Sequence, residues 1–231
     1  MRHLCMPHGL ESAVLPKFEA LVVAGRKVRA GEPLYFPGDR FQSLYAVRSG
    51  SLKTFVTNRE GREQITGLRL PGEALGLDGI ASGVHALSAV ALEDSTVCTL
   101  PYSALKELGR ESTAMQERLH QVMGEQMNRE SAQMIVLGAP AAESRLASFL
   151  LDVSQRNGLR GYSQSEFRLR LTREEMGSYL GITLETVSRS MTRLRKLGLI
   201  EVNAKEIRIT DIDGLREVSA VVSRKHDRTG H

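Results

Sequence analysis

The hydrophobic and polar positions of this chain follow two different periods. From about residue 25 to residue 105, short apolar segments alternate with turns that contain glycine. Two of these segments, residues 52–56 and 95–100, alternate between apolar and polar side chains, as half-buried strands do. Residues 58–61 separate two such segments and predict a hairpin. Many short strands at this spacing favour a jelly roll, that is, a double-stranded β-helix.

After residue 102 the period changes to that of a helix, and it predicts one long amphipathic helix over residues 111–138. Its apolar positions are Met115, Leu119, Val122, Met123, Met127, Met134 and Ile135. A helix this long needs a partner for its apolar side, and we expect a second copy of the chain. Packing against its own β domain is the alternative. Gly138, Ala139 and Pro140 then end the helix and form a candidate hinge.

The next segments predict a helix over residues 141–157, a loop over 158–165 and then a helix-turn-helix. Thr172 and Glu175 have the spacing of a capping box, which begins a helix. Gly181 can end that helix in the left-handed conformation, and Thr183 can cap a second helix. Two helices this close share a core, here predicted to consist of Met176, Leu180, Ile182, Val187, Met191 and Leu194. Residues 199–202 and 206–209 flank a short turn and predict a hairpin wing.

The sequence therefore predicts an α+β chain in three parts. Residues 1–110 form a β jelly-roll sensor domain, residues 111–138 a dimerisation helix, and residues 139–231 a winged helix-turn-helix domain.

The second helix of a helix-turn-helix places its first turns in the major groove of DNA. Arg189 can pair with guanine O6 and N7, Glu185 can accept from cytosine N4, and Ser188 can bond to several base edges. Because an acid repels phosphates, Glu185 indicates either base reading or a brace for Arg189. Arg195 and Lys196 are predicted phosphate contacts. The full set of predicted DNA-contacting residues is Thr183, Glu185, Thr186, Ser188, Arg189, Arg193, Arg195 and Lys196.

The charge of one segment, and not the net charge of the chain, supports the prediction of DNA binding. The net charge of the 231 residues is +4, but residues 168–208 hold nine lysines and arginines against five acids. Such a bias favours a polyanion-binding face, with an ordinary solvated surface as the alternative. No apolar run approaches the ~20 residues that span a bilayer, and the first residues do not resemble a signal peptide. We therefore expect a cytoplasmic protein that does not bind membranes.

Five segments resemble the Crp/Fnr superfamily, and specifically its Fnr branch: residues 44–50, 63–67, 145–149, 166–169 and 179–189. The resemblance covers nearly the whole chain and implies a jelly roll like that of cyclic-nucleotide-binding domains. Glu185, Ser188 and Arg189 are similar to the reading residues of the Fnr recognition helix, which implies a palindromic TTGAT…ATCAA operator. Leu184 stands where the Crp branch has an arginine, which argues against the Crp operator. The turn at residues 60–62 resembles the surface that contacts RNA polymerase, which favours an activator.

The same resemblance bears on what the protein senses. Members that bind cyclic nucleotides use an arginine to hold the phosphate, and residues 72–88 contain none, so a cyclic nucleotide is disfavoured.

Fnr proteins bind a [4Fe–4S] cluster through four cysteines, which implies an oxygen- or redox-responsive regulator. Cys5 resembles the last of the three N-terminal ligands, and Cys98 resembles the distant fourth. The other two would precede Met1, which leads to the hypothesis of a shortened N-terminus. His3 and His8 are conceivable substitutes. The alternative is that Cys98 is a small core residue and Cys5 an incidental thiol.

Functions of other classes fit the sequence less well. A jelly-roll enzyme of the cupin type needs clustered histidines for its metal, but His85 is the only histidine between His8 and His120. No glycine-rich phosphate loop or nucleophile–base pair is recognisable, so we expect no enzyme. A regulator that senses haem or another small ligand is a second possibility, with His85 as an axial ligand, although a lone histidine in a glycine-rich loop is more often on the surface. A regulator without a bound cofactor and an interaction module that does not bind DNA complete the alternatives.

Overall fold

The computed structural model describes residues 14–220. The chain divides into two compact units, one that ends at Asn128 and one that begins at Arg129. This division lies inside the long helix, between the two domain limits that the sequence predicted at residues 110 and 138. Each unit is described by itself.

The first unit contains two antiparallel four-stranded sheets, in the strand orders β1-β8-β3-β6 and β2-β7-β4-β5. The strands are β1 (Val23–Val28), β2 (Pro33–Tyr35), β3 (Ser43–Ser49), β4 (Leu52–Thr57), β5 (Glu63–Arg69), β6 (Ala74–Leu75), β7 (Ser88–Ala91) and β8 (Ser95–Pro101). The helices are α1 (Leu15–Leu21), α2 (Tyr102–Glu111) and α3 (Thr113–Gly138), of which α3 continues into the second unit, and a 3-10 turn spans Leu77–Gly79. The predicted jelly roll and the hairpin around residues 58–61 are both confirmed.

The sheet β1-β8-β3-β6 is covered on both faces because successive side chains of a strand point in opposite directions. In β8, Val97 packs between the two sheets. Its neighbour Cys98 points the other way, into a layer that also contains Leu44 of β3, Phe18 of α1 and Leu105 of α2. The alternation that predicted these strands therefore separates two hydrophobic cores.

The apolar residues of α3 lie in two different environments, one buried and one exposed. In its first half, Met115 and Val122 are 1% and 4% exposed and pack in the layer beneath the sheet. In its second half, Met127, Met134 and Ile135 are 66%, 68% and 76% exposed. The alternative to dimerisation, packing of the helix on its own β domain, thus holds for the first half only.

The second unit contains the end of α3 and seven further elements. These are α4 (Ala142–Gly158), β9 (Glu166–Arg168), α5 (Arg173–Leu180), α6 (Leu184–Lys196), β10 (Ile200–Asn203), β11 (Glu206–Ile209) and α7 (Ile212–Ala220). The predicted wing is confirmed as the β10–β11 hairpin. A third strand that the element prediction left out, β9, pairs with β11 and places Phe167 opposite Ile207.

Within residues 14–220, no helix has both the length and the hydropathy that a membrane crossing requires.

Candidate nucleic-acid interface

The local signals of the helix-turn-helix are present as predicted. Thr172 Oγ1 accepts from the Glu175 backbone N–H at 3.1 Å, and Glu175 Oε2 accepts from the Thr172 N–H at 2.7 Å. Gly181 ends α5 with φ +63°, a conformation that glycine adopts without steric cost. Thr183 then caps α6 by accepting from the Thr186 N–H at 3.3 Å. These contacts fix where both helices begin and where the first one ends.

The two helices are held together by a close backbone approach and a shared core. A Cβ atom on Gly177 would lie 2.6 Å from the carbonyl oxygen of Ile182, so only glycine fits there. The predicted core is buried at Met176, Leu180, Val187, Met191 and Leu194, whereas Ile182 is only half-buried. Because this core fixes the inward face of α6, the opposite face is turned to solvent.

That outward face of α6 forms an open depression of about 540 Å³. It is lined by Ser188, Arg189, Thr192, Arg193 and Lys196, that is, by three cations and two hydroxyl groups without an acid. Glu185 is exposed on the first turn of the same helix, and Leu184 is 44% exposed. Arg195 is exposed but does not line the depression. Four of the predicted contact residues therefore share one concave surface.

A chain of hydrogen bonds connects the predicted base readers. Arg189 Nη2 donates to Thr186 Oγ1 at 3.0 Å, and the Thr186 and Thr183 hydroxyl oxygens lie 3.0 Å apart. Hydrogen bonds from its own backbone N–H and from the Thr183 hydroxyl, helped by the charge of Arg189, lower the pKa of Glu185. Since each hydroxyl has one proton, Thr186 donates to Thr183 and Thr183 to Glu185. The chain holds the Arg189 guanidinium in place and leaves Glu185 an ionised acceptor.

Besides Thr192, which lines the depression, the structure adds two residues that the sequence-based site did not include. Arg173 begins α5 and is half-buried, its pKa is lowered by burial, and its Nη1 has no hydrogen-bond partner among the described atoms. It lies at a helix N-terminus, the end that attracts anions. Glu143, in the first turn of α4, lies 3.6 Å from Arg193 of α6. Nothing in the sequence pattern marked Glu143, because its partner is distant in the chain.

Two comparisons with sequences identify this arrangement. Residues 144–218 match the family model of the Crp-like helix-turn-helix domain, and residues 25–112 match that of the cyclic nucleotide-binding domain. The transcriptional regulatory protein btr of Bordetella pertussis is 42% identical over 216 residues, which make up 94% of this chain and 89% of that protein. The transcriptional activator protein FnrA of Stutzerimonas stutzeri is 40% identical over 212 residues, 92% of this chain and 87% of its own. The chain belongs to the Crp/Fnr family.

The fold of this Crp/Fnr protein also agrees with a solved structure. The structure of FixK2 from Bradyrhizobium japonicum superposes with a TM-score of 0.79 at 27% identity and covers 86% of this chain and 98% of its own. Members of the family act as dimers, and the matched helix-turn-helix is a DNA-binding domain. The relatives are transcription regulators, a class of protein that is not an enzyme, which confirms the expectation drawn from the sequence.

The sequence has fewer thiols than the iron–sulfur cluster implied by the Fnr resemblance needs. A [4Fe–4S] cluster held only by cysteines needs four thiolates, and the sequence has two cysteines. Cys98 is 2% exposed in the apolar layer between sheet and helices, and Cys5, His3 and His8 lie outside the described residues. Within residues 14–220, no group of three histidine, cysteine or acidic side chains could hold a metal ion. The residues present do not make up the ligand set, and redox sensing stays a prediction.

His85 was expected on the surface, and this expectation is wrong. It is 3% exposed, and its ring stacks on that of Tyr35 with centroids 3.7 Å apart. Its Nδ1 lies 3.5 Å from Asp78 Oδ1, and the Gly76 N–H donates to the Tyr35 hydroxyl at 3.2 Å. Burial, with a contribution from the charge of Asp78, raises the pKa of Tyr35. An axial haem ligand at His85 would require this packed stack to open, which disfavours the haem alternative.

Proposed function

We propose that the chain is a dimeric activator of transcription that reads a palindromic TTGAT…ATCAA operator, with one α6 helix in the major groove of each half-site. The observation that carries the proposal is the depression on α6, which combines Arg189, Arg193 and Lys196 with hydroxyl groups and has no acid in its lining. Polar side chains on the exposed face of a recognition helix are suited to base edges, and cations at its rim are suited to phosphates.

The single G·C pair of the half-site accounts for the two charged readers. Guanine presents O6 and N7 to Arg189, and the paired cytosine presents its N4 amino group to Glu185. Glu185 and Arg189 are one helical turn apart on the exposed face of α6. The lowered pKa of Glu185 favours its carboxylate form, in which both oxygens accept hydrogen bonds. Ser188, which lines the depression beside Arg189, is the third reader.

The remaining cations position the protein without specifying sequence. Arg193, Arg195 and Lys196 lie in the last turn of α6 and are exposed, so we assign them to phosphates. Arg173 joins them because it begins α5, a helix whose N-terminus attracts anions. Loss of such contacts weakens binding to all sequences alike and reduces its dependence on salt.

The dimer contact proposed is the exposed apolar face of the second half of α3. Met127 and Met134 are seven residues apart, and the small residues Gly124, Ser131 and Gly138 repeat at the same interval, three residues before or four after each methionine. Large and small residues that alternate in a heptad pattern suit two parallel helices in close contact. In a single chain this face is exposed to solvent, since Met127, Met134 and Ile135 are each at least 66% exposed.

Arg189→Ala tests the reading assignment. We expect the variant to lose most of the preference for the TTGAT operator over one whose G·C pairs are replaced by A·T, because the preference depends on a bidentate contact worth roughly 1–3 kcal/mol. Titration of labelled operators by fluorescence anisotropy measures it. Arg216→Ala is the matched control, since Arg216 is exposed on α7 and pairs with Asp213 of the same helix. Undiminished preference in Arg189→Ala would remove α6 from the reading function.

The turn between β4 and β5 is the proposed contact for RNA polymerase. Asn58 Oδ1 accepts the backbone N–H groups of Glu60 and Arg62 at 3.0 and 2.9 Å, so the exposed turn has a defined shape. Gly61 has φ +77° there, and Gly61→Ala strains that shape. We expect less transcription from an operator-dependent promoter in vitro and unchanged operator binding. Gly83→Ala is the control, because Gly83 has the same φ and equally open surroundings. Equal transcription by both variants contradicts the assignment.

A further inference from the structure

A single side chain joins the end of α3 to the helix-turn-helix. Arg145 lies in the first turn of α4, and its Nε donates to the carbonyl oxygen of Ala139 at 2.6 Å. Its Nη1 donates to the carbonyl oxygens of Leu180 and Gly181 at 3.0 and 3.2 Å. All three acceptors are backbone groups, so the contact depends on where the main chain runs and not on side-chain choice.

These carbonyl groups belong to the ends of two helices. Ala139 follows Gly138, the last residue of α3, while Leu180 is the last residue of α5 and Gly181 its cap. The final carbonyl groups of a helix have no partner within it, and its C-terminus attracts cations. The Arg145 guanidinium supplies both the donors and the charge. It thereby fixes the distance and direction between the end of α3 and the turn that precedes α6.

Two further contacts support the same connection. A Cβ on Gly181 would lie 3.3 Å from Leu137 Cδ2, which places the last turn of α3 against the turn of the helix-turn-helix. Glu143, two residues before Arg145, reaches Arg193 of α6. The first turn of α4 therefore contacts both helices of the helix-turn-helix, α5 and α6, which together form the reading unit. These contacts restrain the short connection that contains Gly138 and Pro140.

We propose that Arg145 is a positioning residue that sets which half-site spacing the dimer accepts. The inference rests on the proposed function, in which α3 pairs two chains and each α6 reads one half-site. Two recognition helices fit one palindrome only when their separation and direction match the DNA, about one helical turn between half-site centres. With Arg145 in place, each reading unit is fixed to the paired helices. Without it, each unit turns about residues 138–140 and adapts to other spacings.

The test uses the full chain and a series of operators whose half-sites are moved apart or together by one and two base pairs. Wild type is expected to lose about tenfold or more in affinity for each step, because both half-sites can no longer be bound at once. Arg145→Gln is expected to vary by less than about threefold across the series and to keep its dependence on the G·C pair of each half-site. Arg216→Gln, an exposed arginine of the same unit, is expected to behave as wild type.

Arg145→Lys is the second variant, because it keeps the charge but has one nitrogen where Arg145 uses two. It is expected to lie between wild type and Arg145→Gln in spacing preference. A purely structural role predicts a different result, namely an equal loss of affinity at every spacing with the ratios unchanged, and that result overturns the proposal. Wild-type spacing preference in both variants overturns it as well. A wild-type chain that does not distinguish base pairs contradicts the proposed function, and this is seen before any Arg145 variant is measured.

Discussion

Gly177 shows how much the reading unit depends on a single residue. A methyl group there meets the carbonyl oxygen of Ile182 at 2.6 Å, and that backbone cannot move without displacing the cap of α6 at Thr183. We expect Gly177→Ala to destabilise the fold by roughly 1–3 kcal/mol, as overpacked cores do. Thermal unfolding followed by circular dichroism measures the effect as a lower melting temperature.

Gly109→Ala is the control for that substitution. Gly109 lies within α2, and the nearest atom to an added Cβ is 4.0 Å away. Alanine is there expected to be neutral or to stabilise the helix by up to about 1 kcal/mol. Equal melting temperatures for the two variants would mean that α5 and the following turn are not in close contact.

The structural role of a residue could be predicted where it depends on neighbours in the sequence, and could not be predicted where its partners are distant in the chain. The capping box of Thr172 and Glu175 and the left-handed Gly181 follow from a few neighbouring letters. The burial of His85 depends on Tyr35, far away in sequence. In the same way, nothing near Arg145 in the sequence indicates that it bonds to Leu180 and Gly181. The exposed positions of α6 were predictable because core and exposed positions alternate within one helix.

The long helix α3 is the element on which the proposed dimer depends. Its second half exposes Met127, Met134 and Ile135, and its first half is covered by its own β domain. Met134→Glu is expected to weaken the dimer at least tenfold, since two Met side chains of about 1.5 kcal/mol each leave the contact. Analytical ultracentrifugation over a range of concentrations measures the dissociation constant.

Ala132→Glu is the matched control for the dimer. Ala132 is exposed on the same turn of α3 but lies away from the line that joins Met127 and Met134. It introduces the same charge outside the proposed contact, and we expect an unchanged dissociation constant. If both variants dimerise as wild type does, the dimer contact lies elsewhere.

The period of apolar residues predicted α3 to within two residues at its start and correctly at its end. The period alone could not show that the apolar residues of the first half of α3 are buried and those of the second half exposed. Met115 and Met134 are the same residue type, and only Met115 has the β domain packed against it. The strand β9 went unpredicted as an element for a related reason. Three residues, Glu166–Arg168, carry too short a pattern to distinguish a strand from a loop until β11 is placed beside them.

For the whole molecule, the order of the three parts was predictable from the sequence, and their limits at residues 110 and 138 stay a prediction. The two compact units meet within α3, at Asn128 and Arg129, so the helix that the sequence treats as a separate segment belongs to both. The end of α3 is held to the helix-turn-helix by Arg145. In the proposed dimer, a change in the pairing of the two α3 helices is therefore expected to alter the spacing of the two α6 helices.

The central claim is that Arg189 reads the guanine of each half-site. The most direct measurement is the affinity of wild type and Arg189→Ala for two operators, one with guanine and one with 7-deazaguanine, which lacks the N7 acceptor, in both half-sites. Wild type is expected to lose roughly tenfold or more on the altered operator, because its bidentate contact becomes a single one. Arg189→Ala is expected to bind both operators equally, and weakly. If the loss caused by the variant and the loss caused by 7-deazaguanine instead add together, Arg189 does not contact that guanine and the claim is contradicted.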